Sequence, residues 1–224
     1  MSDKIQISDL IIDNYTAKDA MKLVVDYMNT EVLNVVEMIT LSTLGEVANQ
    51  EELQRQISEF DITFAGDNAI LQAAGVDDAR RLRASESLLF VKLAMHFLHK
   101  NKSRVFLLAE QADALQKLRE TIEEDYASIQ IVETATIEEH GASDDMILNR
   151  INGVEADCII SILPSPIQEN FIIRNKSLLN AKLWLGFGNW FSKVEKEHSF
   201  VGKIKKMLAK QILKKEIAKK GGNA

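Results

Sequence analysis

Three stretches of this sequence hold residue types and spacings that could do chemistry. Gly66-Asp67-Asn68 puts a carboxylate on a glycine turn directly after the β-prone run DITFAG (61–66). A carboxylate on such a turn can act as a general base where burial lifts its proton affinity. Asp after Gly is also common turn chemistry, or an N-cap for the segment AILQAAG, and the residue types alone leave both readings open. Leu163-Pro164-Ser165-Pro166-Ile167-Gln168-Glu169 follows an apolar run and contains both prolines of the chain. A helix opening there offers free amides and a positive dipole end, which suits a carboxylate or phosphate. Ser165 as cap, Pro166 at the first helical position and Glu169 in the first turn account for three of those residues structurally. Gln168 has no such local account. Arg80, Arg81 and Arg83 cluster ahead of an amphipathic segment, where one of them could clamp a diphosphate bidentately or simply pair with Asp77 and Asp78.

Other chemistries lose their support. No G-x-G-x-x-G and no P-loop occurs: after the run RVFLLA stand Ala109 and Glu110 where a phosphate loop wants glycines. His96 and His99 sit three apart on a helix with no third ligand in view, and His140 and His198 have no spacing partner, so no metal site is expected. The single Cys158 excludes an internal disulfide framework and a cysteine-cluster zinc site.

The elements that must carry these residues alternate. Ile5–Ile12 reads as a short strand and Thr16–Asn29 as a helix with Ala20, Leu23, Val24 and Tyr27 on one face. VVEMITL (35–41) has strand length and β-branched character, and a polar helix is expected through Glu46–Phe60. After the strand Asp61–Phe64 come a helix over Ser85–Lys100, a buried strand Arg104–Ala109, a surface helix over 111–125 and a strand Ser128–Thr134. A helix Asp144–Asn152, a buried strand Ala156–Leu163, a helix over 167–175 and a strand Ala181–Gly188 complete the series. Strands separated by helices imply an α/β, Rossmann-like domain with a mostly parallel sheet and helices on both faces. Ligands of such sheets bind outside the carboxyl ends of the strands. That directs attention to the loops 40–43, 65–68, 109–111, 163–169 and 186–190, and within them to Asn68, Ser165, Glu169 and Gly188. Trp184 is expected to pack in the last strand, and Trp190 to form a core lid or ligand platform.

Length and charge set the frame. The 224 residues, 46% hydrophobic and 27% charged, are about one and a half ordinary domains, enough for one large core. The boundary is expected near residue 191, with 1–191 forming the α/β domain and 192–224 a basic amphipathic appendage. No apolar leader follows the start and no run is long enough to span a bilayer, so the cytoplasm is the expected address. Net charge is −6, yet residues 203–220 hold eight Lys against Glu216 alone, or +7, which leaves −13 for the rest. A body of that sign repels nucleic acid. Val201, Ile204, Leu208 and Ile212 form an apolar stripe within 201–220, with lysines flanking it, like a helix lying on an anionic membrane surface; docking of that helix on the acidic body is the competing reading.

The order of these pieces resembles the WecG/TagA/CpsF glycosyltransferase family. The segments that carry the likeness are IQISDLIIDNYTAKDAMKLV, VVEMITLST, FAGDNAIL, RLRA, VFLLAEQ and ADCIISILPSPIQENFI, in family order from Ile5 to Phe191. The S-P-x-Q-E within the last of these is the specific part. The resemblance implies an inverting enzyme that moves an N-acetylhexosamine, typically N-acetylmannosamine, from a UDP-sugar to a lipid-linked acceptor at the inner membrane face, with no metal or other cofactor. It implies Asp67 as base, Gln168 as the glutamine that holds sugar or nucleotide, Thr40 at the second strand end, and Arg81, with Arg83 as the fallback, as the diphosphate arginine. Ser42 stands where the family has asparagine, Ala84 replaces a glycine, Ala109-Glu110 a glycine pair, and Pro164 the glycine before S-P-x-Q-E. Missing glycines also suit a second class of function, a relative that binds a sugar nucleotide or a partner enzyme without turnover, since backbone without Cβ lets a diphosphate approach. A homo-oligomer is compatible with either.

Overall fold

The computed structural model describes residues 4–7, 9–86, 88–138 and 143–188. Eight strands form one sheet in the order β1-β2-β4-β3-β8-β7-β5-β6. They are β1 (Lys4–Ile7), β2 (Leu10–Asp13), β3 (Asn34–Ile39), β4 (Ile62–Ala65), β5 (Arg104–Ala109), β6 (Gln130–Thr136), β7 (Cys158–Ser161) and β8 (Leu183–Gly186). Every pairing from β2 to β6 is parallel, and only β1 runs antiparallel, against β2. This is the α/β sheet that alternating apolar runs demand. β3, β7 and β8 are buried along their whole length, as central strands covered on both faces must be.

The last strand, β8, is threaded between β3 and β7, so it joins two halves that the chain builds separately. Its register sets Val35 beside Trp184 and Glu37 beside Gly186. Because side chains alternate, Val35, Glu37 and Ile39 face one side and Val36 and Met38 the other. On the first side α9 (Ile167–Asn175) covers the sheet, with Phe171 5.7 Å from Trp184 between ring centroids. On the second, Phe64, in register with Met38, meets Phe90 of α6 (Leu89–Asn101) edge to face at 4.6 Å. Helix α1 (Ala17–Tyr27) packs on α6, while α3 (Glu51–Ile57) and α8 (Asp144–Gly153) pack on α9. Helix α7 (Ala112–Asp125) lies on β5 and β6.

Three sequence expectations are corrected. Ile5–Ile12 is a hairpin rather than one strand: the chain reverses so that Ile7 pairs with Leu10, and Lys4 bridges Asp13 at 2.6 Å across the open end. The helix expected over Glu46–Phe60 is two helices. Thr40 starts α2 (Leu41–Val47) early through a reciprocal capping box with Thr43. Gln50 then leaves helical geometry, and Gln54 donates from Nε2 to the carbonyls of Val47 and Ala48, closing off α2 before α3 proceeds. The helix expected over Ser85–Lys100 is likewise divided, because Leu88 adopts a left-handed φ of 55°. The arginine cluster therefore lies on its own helix, α5 (Ala79–Glu86). Together with α4 (Asn68–Ala73) and α6 it fills the long connection from β4 to β5. The remaining elements lie where periodicity places them, within a few residues at their ends. Trp184 packs in the last strand as expected; Trp190, His140, His198 and the appendage 192–224 lie outside the described residues. Among the described residues no helix is long and apolar enough to cross a membrane.

Candidate functional site

The carboxyl ends of β3 and β4 are drawn together by a glycine. Gly66 donates its amide to the Ile39 carbonyl at 2.8 Å, and a Cβ there would meet Met38 Cε at 3.2 Å and the Ile39 oxygen at 3.3 Å. That close approach sets Asp67 against the start of α2, where its Oδ2 accepts from the Leu41 amide at 2.8 Å. Asp67 occupies the N-cap position of α4 without a side-chain cap bond to that helix. Its carboxylate is thus oriented by a different helix from the one it precedes. Asn68 begins α4 with its Oδ1 buried and without a hydrogen-bond partner. Thr40 is buried and its hydroxyl is occupied with the Thr43 amide and hydroxyl, so capping accounts for it. Ser42 is exposed on the first turn of α2.

Beside this edge lies a cavity of about 260 Å³ whose wall includes Gly66, Met38, Phe64, Leu71, Phe90 and Arg81. The apolar lining comes mainly from β3, β4, α4 and α6, and the charged lining residues are Asp13 of β2, Lys18 of α1 and Arg80 and Arg81 of α5. Arg81 reaches Asn14, just past β2, with Nη2 donating to Oδ1. Arg83 is exposed on another side of α5 and is not part of that wall. Asp78 caps α5 by accepting from the Arg80 and Arg81 amides at 2.8 and 2.9 Å. Those amides, Arg81's foremost, hold the Asp78 carboxyl below the usual range. Asp78 therefore serves the backbone of the arginine cluster.

The ends of β7 and β8 are built differently. Past β7 the chain makes a cis peptide between Ser165 and Pro166 and enters α9. Gln168 and Glu169, 2% and 1% exposed, both turn into the protein. Gln168 lies on Gly186: a Cβ at Gly186 would stand 2.7 Å from Nε2 and 3.2 Å from Oε1. From there Nε2 donates to Oε1 of Glu37 at 3.0 Å, across 131 positions of sequence. Glu37 is itself only 1% exposed. Ser165 Oγ donates to Glu169 Oε1. Burial, and after it the neighbouring Glu169, push the Glu37 carboxyl well above its usual range. Gly188, past β8, has a left-handed φ of 50°, which a glycine adopts at little cost.

The structure thus brings Ser165, Gln168 and Glu169 together, joins Asp67 to the Thr40–Thr43 helix start, and sets Arg81 on the cavity wall that Gly66 also borders. One residue of this site escaped the sequence reading, Glu37, while Gly186 entered it only as the first position of the loop 186–190. A lone carboxylate inside the otherwise apolar NVVEMI strand was the available signal, since Glu is almost never fully buried unless partnered. Elsewhere, His99 accepts from the Ser128 amide through Nδ1 at 3.2 Å, a structural role. Burial pushes the Cys158 thiol well up, away from nucleophilic use. Among the described residues no group of three or more His, Cys, Asp or Glu could hold a metal ion.

Comparison with known proteins assigns the chain to a family. The family model described as glycosyl transferase WecG/TagA/CpsF family matches residues 5–197. No curated protein matches the chain. The match covers most of the sequence, and the chain belongs to the WecG/TagA/CpsF family of glycosyltransferases. It is therefore a glycosyltransferase, an enzyme with a nucleotide-sugar donor and an acceptor as substrates.

Proposed function

We propose that this glycosyltransferase moves an N-acetylhexosamine of the N-acetylmannosamine type from a UDP-sugar to a lipid-linked acceptor in cell-surface polymer synthesis, with inversion at the anomeric carbon. The observation that carries the reading is Asp67. Its carboxylate is half-buried at the sheet's ligand edge, aimed by the Leu41 amide, next to a cavity bordered by Gly66 and Arg81. In the reaction the acceptor hydroxyl oxygen attacks the anomeric carbon as Asp67 takes its proton. The bond from that carbon to the diphosphate oxygen breaks, and UDP departs with the electron pair. Arg81 meets the charge growing on the diphosphate by preorganised attraction, and no metal is required. The Phe, Leu and Met side chains on the cavity wall suit the apolar part of an acceptor, while Asp13, Thr16, Lys18, Arg80 and Arg81 on the same wall offer polar partners to a sugar or diphosphate.

A panel of UDP-sugars with a lipid-linked acceptor tests the reading, with Asp67→Asn as the control. Activity that survives in that variant removes Asp67 as base. UDP binding without any transfer would favour the binding-module reading that Ala84, Ala109-Glu110 and Pro164 raise.

The lysine-rich segment 201–220 supports a peripheral site on the inner face of the cell membrane. Each lysine near an anionic surface contributes about 1 kcal/mol, and salt weakens the attraction. The full chain is expected to sediment with anionic vesicles at low salt, and a chain ending at Ser199 to stay in the supernatant. Equal behaviour of the two removes the segment as anchor.

A further inference from the structure

Buried acids without a cation are unusual, and this protein has two close together. Glu37 of β3 and Glu169 of α9 are each 1% exposed, Gln168 beside Glu169 in the chain bonds to Glu37 at 3.0 Å, and the Glu169 carboxyl is near enough to raise the proton affinity of Glu37. Each has one oxygen already engaged: Glu37 Oε1 accepts from Gln168, and Glu169 Oε1 accepts from Ser165. Each has one oxygen, Oε2, buried with no partner. Among the described residues the elements around them offer no unengaged cation: Arg150 of α8 is bound to Glu133 at 2.9 Å. β4 and β8 carry no charged residue. On α9, Arg174 is bound to Asp144 at 2.8 Å, and Lys176 beyond it to Asp61 at 2.6 Å. Lys182, ahead of β8, stands 4.0 Å from Asp157. Glu46 of α2 and Glu51, Glu52 and Arg55 of α3 are exposed.

We propose that Glu37 and Glu169 share a single proton between their Oε2 atoms, and that this carboxyl pair is the device that positions Gln168. One proton satisfies both orphaned oxygens at once, and two buried carboxylates close together cannot both ionise. The pair also decides what Gln168 can do. With Nε2 spent on Glu37, the amide keeps only Oε1, which is without a partner, so a ligand must offer it an N–H or O–H. A uracil N–H or a ribose hydroxyl of UDP, or an acetamido N–H or hydroxyl of the transferred sugar, is such a group. Gly186 completes the arrangement by leaving the volume in which the amide lies. The role of Gln168 toward a ligand rests on the function proposed above; the shared proton does not.

The two parts are tested separately. Glu37 holds its proton more tightly folded than unfolded, so the folded chain binds more protons once pH exceeds the ordinary carboxylate range. Stability of the wild type therefore falls as pH rises through that window, up to the raised native value. Glu37→Gln imitates the protonated acid: its amide donates to Glu169 Oε2 and its carbonyl accepts from Gln168. Denaturant unfolding from pH 4 to 9 should show the fall in the wild type and a flat profile for this part in Glu37→Gln. Carboxyl-carbon NMR of glutamate-labelled protein should show one glutamate still protonated above the range of the others, and that signal should vanish in the variant. A wild type with neither signature, or a variant that keeps both, overturns the shared proton.

UDP affinity by calorimetry then reads the positioning. Glu37→Ala should weaken it on the order of 100-fold, as a misplaced contact group does, and Glu37→Gln should restore it. Equal weakening in both, with the titration signatures intact in the wild type, overturns the positioning role. A wild type that shows the signatures but binds no UDP overturns the donor reading and leaves the pair standing. Should Glu37→Ala fail to fold, Gln168→Glu supplies the same loss by setting a third acid against the pair, and unchanged UDP affinity there overturns the positioning role.

Discussion

The two halves of the ligand edge hold their polar groups in opposite ways. At the ends of β3 and β4, polar side chains bond to backbone close by: Thr40 to the Thr43 amide, Asp78 to the amides of its own helix, Asp67 to the first amide of α2. At the ends of β7 and β8, side chain meets side chain in the dark interior, and the central bond joins residues 131 positions apart. Capping alone would maintain most of the first arrangement, so its residue types are weak evidence for chemistry. The second is costly to bury and does nothing for helix ends, so capping does not account for it. Asp67 is the exception on the first side, because the helix it orients against is not the one it precedes.

That exception gives the largest expected effect. Asp67→Asn keeps an oxygen for the Leu41 amide, so the unfolding midpoint should hardly move, while turnover falls about 10²- to 10⁴-fold as for a lost general base. A matching loss of stability would return Asp67 to the caps. Next is Gly186→Ala. The new Cβ forces the Gln168 amide off its seat and breaks the bond to Glu37, and about 1–3 kcal/mol of stability should be lost in denaturant titration. If Gly186→Ala is neutral, the second half is no more constrained than the first. The smallest effect belongs to the local side: Thr40→Ala removes one cap and should cost about 1 kcal/mol, with UDP affinity unchanged if capping is its whole task. A loss of UDP affinity beyond that would give Thr40 the ligand role its family position implies.

Much of the fold was legible because periodicity is a local property. RVFLLA reads as a buried strand from its own six residues and is one, from Arg104 to Ala109. Boundaries failed where a distant or unusual contact intervened. Nothing within Glu46–Phe60 announces that Gln54 will fold back on the carbonyls of Val47 and Ala48, and nothing near Leu88 announces a left-handed residue. For the site, Asp67 and the Ser165–Glu169 turn stood out through residue types beside a strand end, and Gln168 stood out because no capping rule explained it.

What the sequence by itself determined is the alternation of strands and helices, the loops at which a ligand edge forms, and the family, since each is written in contiguous residues. Tertiary structure alone decided the partners. β8, the last strand made, inserts beside β3 and brings Gly186 level with Glu37, and α9 then lowers Gln168 and Glu169 onto that pair. A register between strands nearly 150 positions apart depends on how two whole halves of a sheet pack. No local pattern encodes it, and so the buried acids became visible only when the chain was folded.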